Sequence, residues 1–557
     1  MQSRRTERPV RGAPRDLPVS VPIAELTEPA AGAPRGARTA PTLPRGPRLY
    51  GLLAAAALLL GALSLLIPST ASYDPWSWLI WGREILHLNL HTTGGPTWKP
   101  LTVIFTTVFA LFGKAAPDLW LVVARAGAVV AVAMVFRLCV RFVRAISGAG
   151  DGTLFAPAIL GGLIAALSLA STGGFVSNSA LGYSEGLMTA LVLIAVERHL
   201  DGAPRQAFVV GFFAALDRPE LWLFWGPYGL WLVWRDRSAL PLVLGLFMLI
   251  PVLWFLPEYW GSGHFFRGVS RAHTPRSNSA AYASCPFCSE LAKHAWPTVL
   301  LRVKVAAALA VLAAATLLTR AMHARETDPR RWRLTAPREH ALAGVVATGV
   351  LGLTWWVLIA VLTQAGFSGN DRYLVLGAAL IEIAGGVGYG WLAAVLARES
   401  AKRSDFVRTL GAGAGAAILA ALVMALVYVF VPNPVGRSLI DIQRTHRSLV
   451  YQAQLRAGAA NAVARLGGKN QIYACGTVMT EGFQVPLLAY SLGVHTDQVE
   501  AAPLELPPPG SAGPNVIFQA RENRRAHRLP ALRNWPETSY RLVARNRTFR
   551  IYEHCRV

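Results

Sequence analysis

The chain has 557 residues, 53% of them hydrophobic and only 15% charged, with a formal net charge of +23. At this length such a composition excludes a soluble globular domain and calls for many membrane spans rather than one anchor. The arginine clusters fall between apolar runs, so the positive-inside bias explains the charge, and the partner it implies is a lipid bilayer, not nucleic acid.

In chain order, residues 1–48 are rich in Arg, Pro and Ala with no apolar period and read as a disordered basic cytoplasmic tail. Apolar runs follow near 50–68, 118–137, 154–171, 187–197, 206–216, 220–234, 239–256, 298–319, 341–364, 373–397 and 409–431. They predict a transmembrane domain over 49–432 with about eleven helices. Run 101–112 is short for a span. If it stays on the outer surface, every arginine cluster, such as Arg137 to Arg144, lands inside. The N-terminus is then cytoplasmic and the C-terminus extracytoplasmic. Frequent Ala, Gly, Arg and Trp suggest the cell membrane of a high-GC bacterium.

This topology places the outer loops at 69–117 and 257–297, and it puts Asp74, Lys99, Glu185, Arg218, Glu220, Arg372 and Tyr373 on one side. An extracytoplasmic site built from several loops requires that convergence. The first loop runs from Tyr73-Asp74-Pro75-Trp76 to Trp98-Lys99-Pro100-Leu101. Its segment 76–88 is amphipathic, with Trp, Ile and Leu on one side and Arg83 and Glu84, candidate substrate contacts, on the other. Such a helix is expected to lie flat at the headgroup level.

Beyond residue 432 the character changes. Residues 433–557 mix a polar helical stretch (438–466) with short strand-like runs at 471–474, 515–519, 540–543 and 549–552, and predict an extracytoplasmic α/β domain. In an oxidising compartment a disulfide between Cys475 and Cys555 is expected, and Cys285 with Cys288 has the spacing of a short local one. Cys139 is expected as a free thiol.

Each boundary residue has a chemical and a plain reading. Asp74 is the candidate general base, or else a turn residue before Pro75. Glu185 supports Asp74, binds a divalent cation, or stabilises a helix N-terminus. Lys99 and Arg372 neutralise a phosphate or snorkel toward headgroups. Arg218 and Glu220 touch substrate or pair with each other. Glu382, alone within an apolar run, has no assigned role. The arginine-rich run 521–533 suits an anionic polymer or a headgroup-facing surface.

The acidic residue after the first span, the Trp-rich Arg-Glu helix, the Lys99-Pro100-Leu101 motif and the helix ending Leu111-Phe112-Gly113 together resemble the first outer loop of GT-C fold membrane glycosyltransferases. These include the protein O-mannosyltransferase-like and aminoarabinose-transferase-like families and actinobacterial arabinosyl- and mannosyltransferases. Leu181-Gly182-Tyr183-Ser184-Glu185-Gly186 is similar to their second outer loop, Arg218-Pro219-Glu220 to an Arg-Pro-Glu turn, and Arg372-Tyr373 to an Arg-Tyr pair at the head of a late span. The resemblance covers roughly residues 50–235 and 365–400. It implies inverting transfer of a sugar from a polyprenyl-phosphate donor to an envelope glycan or glycolipid, with Asp74 as base and Lys99, Arg372 and Tyr373 at the donor phosphate. The pattern departs at Pro75, where relatives often carry a second acidic residue. A non-catalytic envelope-assembly scaffold and a secondary transporter are the alternatives.

Overall fold

A computed structural model describes residues 47–148, 155–275, 279–325, 334–403, 440–508 and 510–555. The basic tail 1–46 and the apolar run 409–431 lie outside the described residues. The protein is a multi-pass helical membrane protein carrying a small C-terminal α/β domain.

The helices are α1 (Pro47–Leu63), α2 (Tyr73–Leu86), α3 (Pro100–Ala110), α4 (Ala116–Ser147), α5 (Phe155–Ser171), α6 (Gly173–Ala180), α7 (Glu185–Leu200), α8 (Pro204–Ala215), α9 (Trp222–Arg235), α10 (Leu240–Ser262), α11 (Arg267–Ala272), α12 (Pro286–Ser289), α13 (Leu301–His323), α14 (Pro337–Gln364) and α15 (Val375–Arg403). Among the described residues six helices are long and apolar enough to cross a membrane, and α6 with α7 makes a seventh, bent by 109°, if the pair is one span. At 12 and 14 residues, α8 and α9 are shorter than the roughly 20 a perpendicular crossing needs. At 11 residues α3 is also too short to cross alone, and it packs along α2.

Helix α4 is the hub, packed by α1, α5, α7 and α15. Helix α5 crosses α15 backbone to backbone at Gly161, Gly386 and Gly390, where a Cβ on Gly161 would strike the Gly386 carbonyl. Small residues at such crossings are how helices gain contact in lipid, where no hydrophobic force drives them together.

At one end of this bundle the arginine clusters are ion-paired. Arg137 meets Glu197 at 3.0 Å and Arg141 meets Asp201 at 2.6 Å. At the other end sit the first loop and the C-terminal domain. There α16 (Ile442–Arg465), α17 (Lys469–Cys475) and α18 (Val485–Leu492) pack with a six-stranded sheet. Strands β1 (Val478–Thr480), β2 (Val499–Ala501), β3 (Val516–Arg521), β5 (Arg541–Arg545) and β6 (Arg550–Glu553) follow the order β2-β1-β3-β6-β5, and β4 (Arg528–Leu529) pairs with β3. The β1–β2 and β1–β3 pairs are parallel, and β3–β6 and β5–β6 antiparallel. Cys475 is bonded to Cys555, tying α17 to the end of β6, and Cys285 to Cys288. Cys139 is a buried free thiol.

Two local expectations need correction. Run 471–474 is helix, inside α17, because a run as short as Gln471-Ile472-Tyr473-Ala474 carries no period that separates strand from helix and Gly467-Gly468 opens a new helix there. The first strand instead begins at Val478. Helix α2 does not lie flat among headgroups. Trp76, Trp78, Leu79, Ile80 and Trp81 are all buried, because α3 covers one side and α18 the other. Its ring contacts include Trp76 on Tyr490 and Trp78 on Trp120.

Candidate functional site

Four loops deliver the polar residues to one place, each held by backbone or indole hydrogen bonds. The Ser72 N–H donates to Leu181 O at 3.0 Å, joining the start of α2 to the loop before α7. The Leu101 N–H donates to Leu216 O at 3.2 Å, joining the start of α3 to the turn after α8. Trp120 Nε1 donates to Gly182 O at 2.8 Å. Trp355 and Trp356 donate to the carbonyls of Tyr373 and Leu374 at 2.8 and 3.0 Å, fixing the 3-10 turn that opens α15.

The centre is Glu185, the first residue of α7 and 2% exposed. Its Oε1 lies 3.4 Å from Lys99 Nζ, 3.3 Å from Arg218 Nη1 and 3.9 Å from Arg372 Nε. One buried carboxylate thus gathers three cations from three loops. Lys99 also donates to Ser184 Oγ at 2.9 Å and lies 3.8 Å from Asp217 Oδ2. Arg218 is bidentate on Glu220, at 2.7 and 3.2 Å, with its guanidinium 3.8 Å from the Tyr373 ring centre. Arg372 Nη2 donates to Asp74 Oδ2 at 2.6 Å, and its guanidinium sits 4.0 Å from the Tyr183 ring centre. Arg372 Nη1 is buried with no hydrogen-bond partner among the described residues, and so is Glu185 Oε2.

Asp74, Lys99, Asp217, Arg218, Glu220 and Tyr373 line a cavity of about 390 Å³. Its remaining wall is largely apolar, with Trp222, Leu223, Phe255, Phe266, Leu358 and Phe367 contributing. A charged floor under an apolar wall suits an amphiphile with an anionic head. Glu258, on α10, also lines the cavity. It was not singled out in the sequence because Pro257-Glu258-Tyr259-Trp260 closes an apolar run and reads as an interfacial anchor. Arg267, on α11, is a second such residue. Its guanidinium donates to the carbonyls of Thr93, Gly94, Gly95 and Pro96, at 2.5 to 3.1 Å, and so fixes the loop that leads into Lys99.

Asp74, Lys99, Glu185, Arg218, Glu220, Arg372 and Tyr373 are therefore brought together. Arg83 and Glu84 are not. They face the C-terminal domain, where Arg83 donates to Tyr490 O and Val494 O at 3.4 and 2.8 Å, and Glu84 Oε1 lies 2.6 Å from His495 Nδ1. Burial pushes the Glu84 carboxyl up, against the opposing pull of His495. Among the described residues no group of three or more His, Cys, Asp or Glu side chains is placed to hold a metal ion. The carboxylates of Asp74, Glu185 and Glu220 face guanidinium or ammonium groups, while those of Asp217 and Glu258, which line the cavity, have no hydrogen-bond partner among the described residues. Deep in the bundle, Glu382 accepts a hydrogen bond from Ser168 at 3.0 Å.

No family model matches the chain, and no curated protein matches it. Solved structures do. The chain is similar to ArnT from Cupriavidus metallidurans in the apo state, at 14% identity and a TM-score of 0.47, over 91% of this chain and 97% of that one. The same protein bound to undecaprenyl phosphate matches at 13% identity and a TM-score of 0.45, over 91% and 98%. The archaeal oligosaccharyltransferase AglB from Archaeoglobus fulgidus, in complex with an inhibitory peptide and a dolichol-phosphate, matches at 12% identity and a TM-score of 0.41, over 82% and 65%.

Proposed function

We propose that the protein is a GT-C-type membrane glycosyltransferase that moves a sugar from a polyprenyl-phosphate donor to an acceptor of the bacterial cell envelope. The observation that carries this reading is the split use of Arg372, whose neighbours Asp74 and Tyr373 line the cavity: Nη2 holds the Asp74 carboxylate at 2.6 Å while Nη1 is buried with no hydrogen-bond partner among the described residues. A buried donor left unsatisfied costs about 1–3 kcal/mol, so the position favours an incoming anion. Lys99 and Arg218, which share the Glu185 carboxylate with Arg372, line the cavity. The apolar wall suits the first isoprene units of the carrier.

In the reaction so read, Asp74 takes the proton of an acceptor hydroxyl as that oxygen attacks the anomeric carbon. The bond from the anomeric carbon to the phosphate oxygen breaks, and its electron pair leaves with the polyprenyl phosphate. Lys99 and Arg372 stabilise the charge that develops there. Attack from the face opposite the phosphate inverts the anomeric centre. No metal takes part in this scheme. The arginine clusters at the end of the bundle remote from the cavity support an orientation with that end in the cytoplasm and the C-terminal domain outside.

The test is turnover by purified protein in proteoliposomes, with labelled polyprenyl-phosphate pentose and hexose donors. Wild type should consume at least one donor, and Asp74→Asn should lose ~10²–10⁴-fold in rate, the usual weight of a positioned base. Undiminished activity in Asp74→Asn sinks the assignment, and inertness of the wild type toward every donor sinks the transferase reading itself.

A further inference from the structure

A second, smaller cleft of about 270 Å³ lies in the seam between the first loop and the C-terminal domain. Tyr73, Gly94, Gly95 and Arg271 line one side; Glu481, Thr496 and Asp497 stand on the other. It is at the small end for a ligand pocket, sized for the end of a chain rather than for a polymer.

Its position relative to the main cavity is specific. Tyr73 faces the cleft while Asp74 faces the cavity; Gly95 faces the cleft and Thr97 the cavity; Arg271 faces the cleft and Ala272 the cavity. The two spaces are back to back, with one wall made of the start of α2, the loop into Lys99, and α11. Whatever occupies the cleft lies one residue from the carboxylate read as the base.

The chemistry of the cleft is as specific as its place. Thr496 is 2% exposed and its Oγ1 has no hydrogen-bond partner among the described residues, leaving a buried hydroxyl for a ligand. Two carboxylates face one arginine, which disfavours a polyanion. Asp497 Oδ2 is already oriented by Thr93 Oγ1 and His91 Nε2, each at 2.8 Å. Glu481 Oε2 accepts from the Phe483 N–H at 3.0 Å. Tyr73 adds an aromatic ring, set edge-on to Phe483. Carboxylates, a hydroxyl and an aromatic ring around a small cleft are a set that binds sugar hydroxyls and C–H faces.

We propose that this seam is a glycan subsite that takes the uncharged end of a glycan, on the far side of the wall that carries Asp74. The inference rests on the transferase reading for what the bound glycan is for, but binding can be measured without turnover. The experiment is hydrogen exchange of the full-length protein in lipid nanodiscs, titrated with a panel of neutral hexose and pentose oligosaccharides and with sulfated oligomers of matching length. Neutral oligosaccharides should protect residues 93–97 and 495–502, and the sulfated set should not. Thr496→Val should raise the half-saturating concentration about tenfold, while Thr496→Ser, which keeps the hydroxyl, should stay near wild type. Asp74→Asn should bind as wild type does even though it no longer transfers, which separates this inference from the assignment of the base. Protection by no neutral member, preference for the sulfated set, or equal affinity in Thr496→Val overturns the proposal.

Discussion

Asp74 and Arg372 are 298 residues apart in the chain and 2.6 Å apart in the fold. One stands at the start of the first loop and the other in the turn that opens α15, so the pair ties two distant parts of the chain beside the cavity. Arg372 also lies 3.9 Å from Glu185, which lets one guanidinium orient a carboxylate and still keep a donor for a ligand.

Replacing Arg372 tests that double role. Arg372→Lys keeps the charge but loses the fork, since an ammonium cannot hold Asp74 and a phosphate oxygen in fixed geometry. The expected loss in kcat/KM for the donor is on the order of 10²–10³-fold, carried by both kcat and KM. Steady-state kinetics in proteoliposomes check it, and an effect under threefold would remove Arg372 from the site.

Arg267 acts one step back. Its side chain satisfies four carbonyls of the loop that ends at Lys99. Arg267→Met should free those carbonyls and loosen the loop, raising donor KM more than it lowers kcat. Hydrogen exchange should quicken at residues 93–99 while the rest of the protein stays unchanged. Uniform destabilisation without a local change would show that Arg267 holds the fold and not the loop.

Glu290 should make the stability of the protein depend on pH. Burial pushes its carboxyl up to about 7, with a further push from Asp371. Both side-chain oxygens are buried without a hydrogen-bond partner among the described residues. A group whose pKa is raised on folding stabilises the fold below its unfolded pKa and loses that contribution as pH rises through the folded one. The window therefore runs from about 4.5 to about 7. Melting temperature should fall across it, and Glu290→Gln should flatten that part of the profile and be more stable than wild type at pH 8, by on the order of 3 kcal/mol for the full shift. An unchanged profile in the variant would assign the dependence elsewhere.

The Cys475–Cys555 bond closes a loop with a sequence separation of 80 and joins α17 to the last strand. Cys475→Ser, or reduction of the wild type, should destabilise the C-terminal domain by about 2–5 kcal/mol. Limited proteolysis should then cut within residues 476–554 before the helical bundle is touched.

Much of the site was legible because membrane chains segregate charge strongly. A carboxylate or arginine at the head of an apolar run is conspicuous, and the distribution of basic clusters alone puts Asp74, Lys99, Glu185, Arg218 and Arg372 on one face. What could not be read is where a polar face points once a second domain covers it. Arg83 and Glu84 look like the wet side of an amphipathic helix, and only the docking of residues 485–498, some four hundred positions later, shows that the C-terminal domain uses them. Glu258 and Arg267 stayed hidden for the opposite reason: flanking aromatic residues make each look like an ordinary anchor at the membrane surface.

The Asp74–Arg372 contact also sets an order of events during synthesis. Asp74 and Lys99 emerge early, but the guanidinium that pairs with Asp74 is not available until residue 372 has left the ribosome and α15 has been inserted beside α4 and α5. Until then the nascent chain holds an unpaired carboxylate in a half-built cavity. On the reading proposed here, it cannot act on lipid-linked sugar while its remaining helices are still being laid into the bilayer.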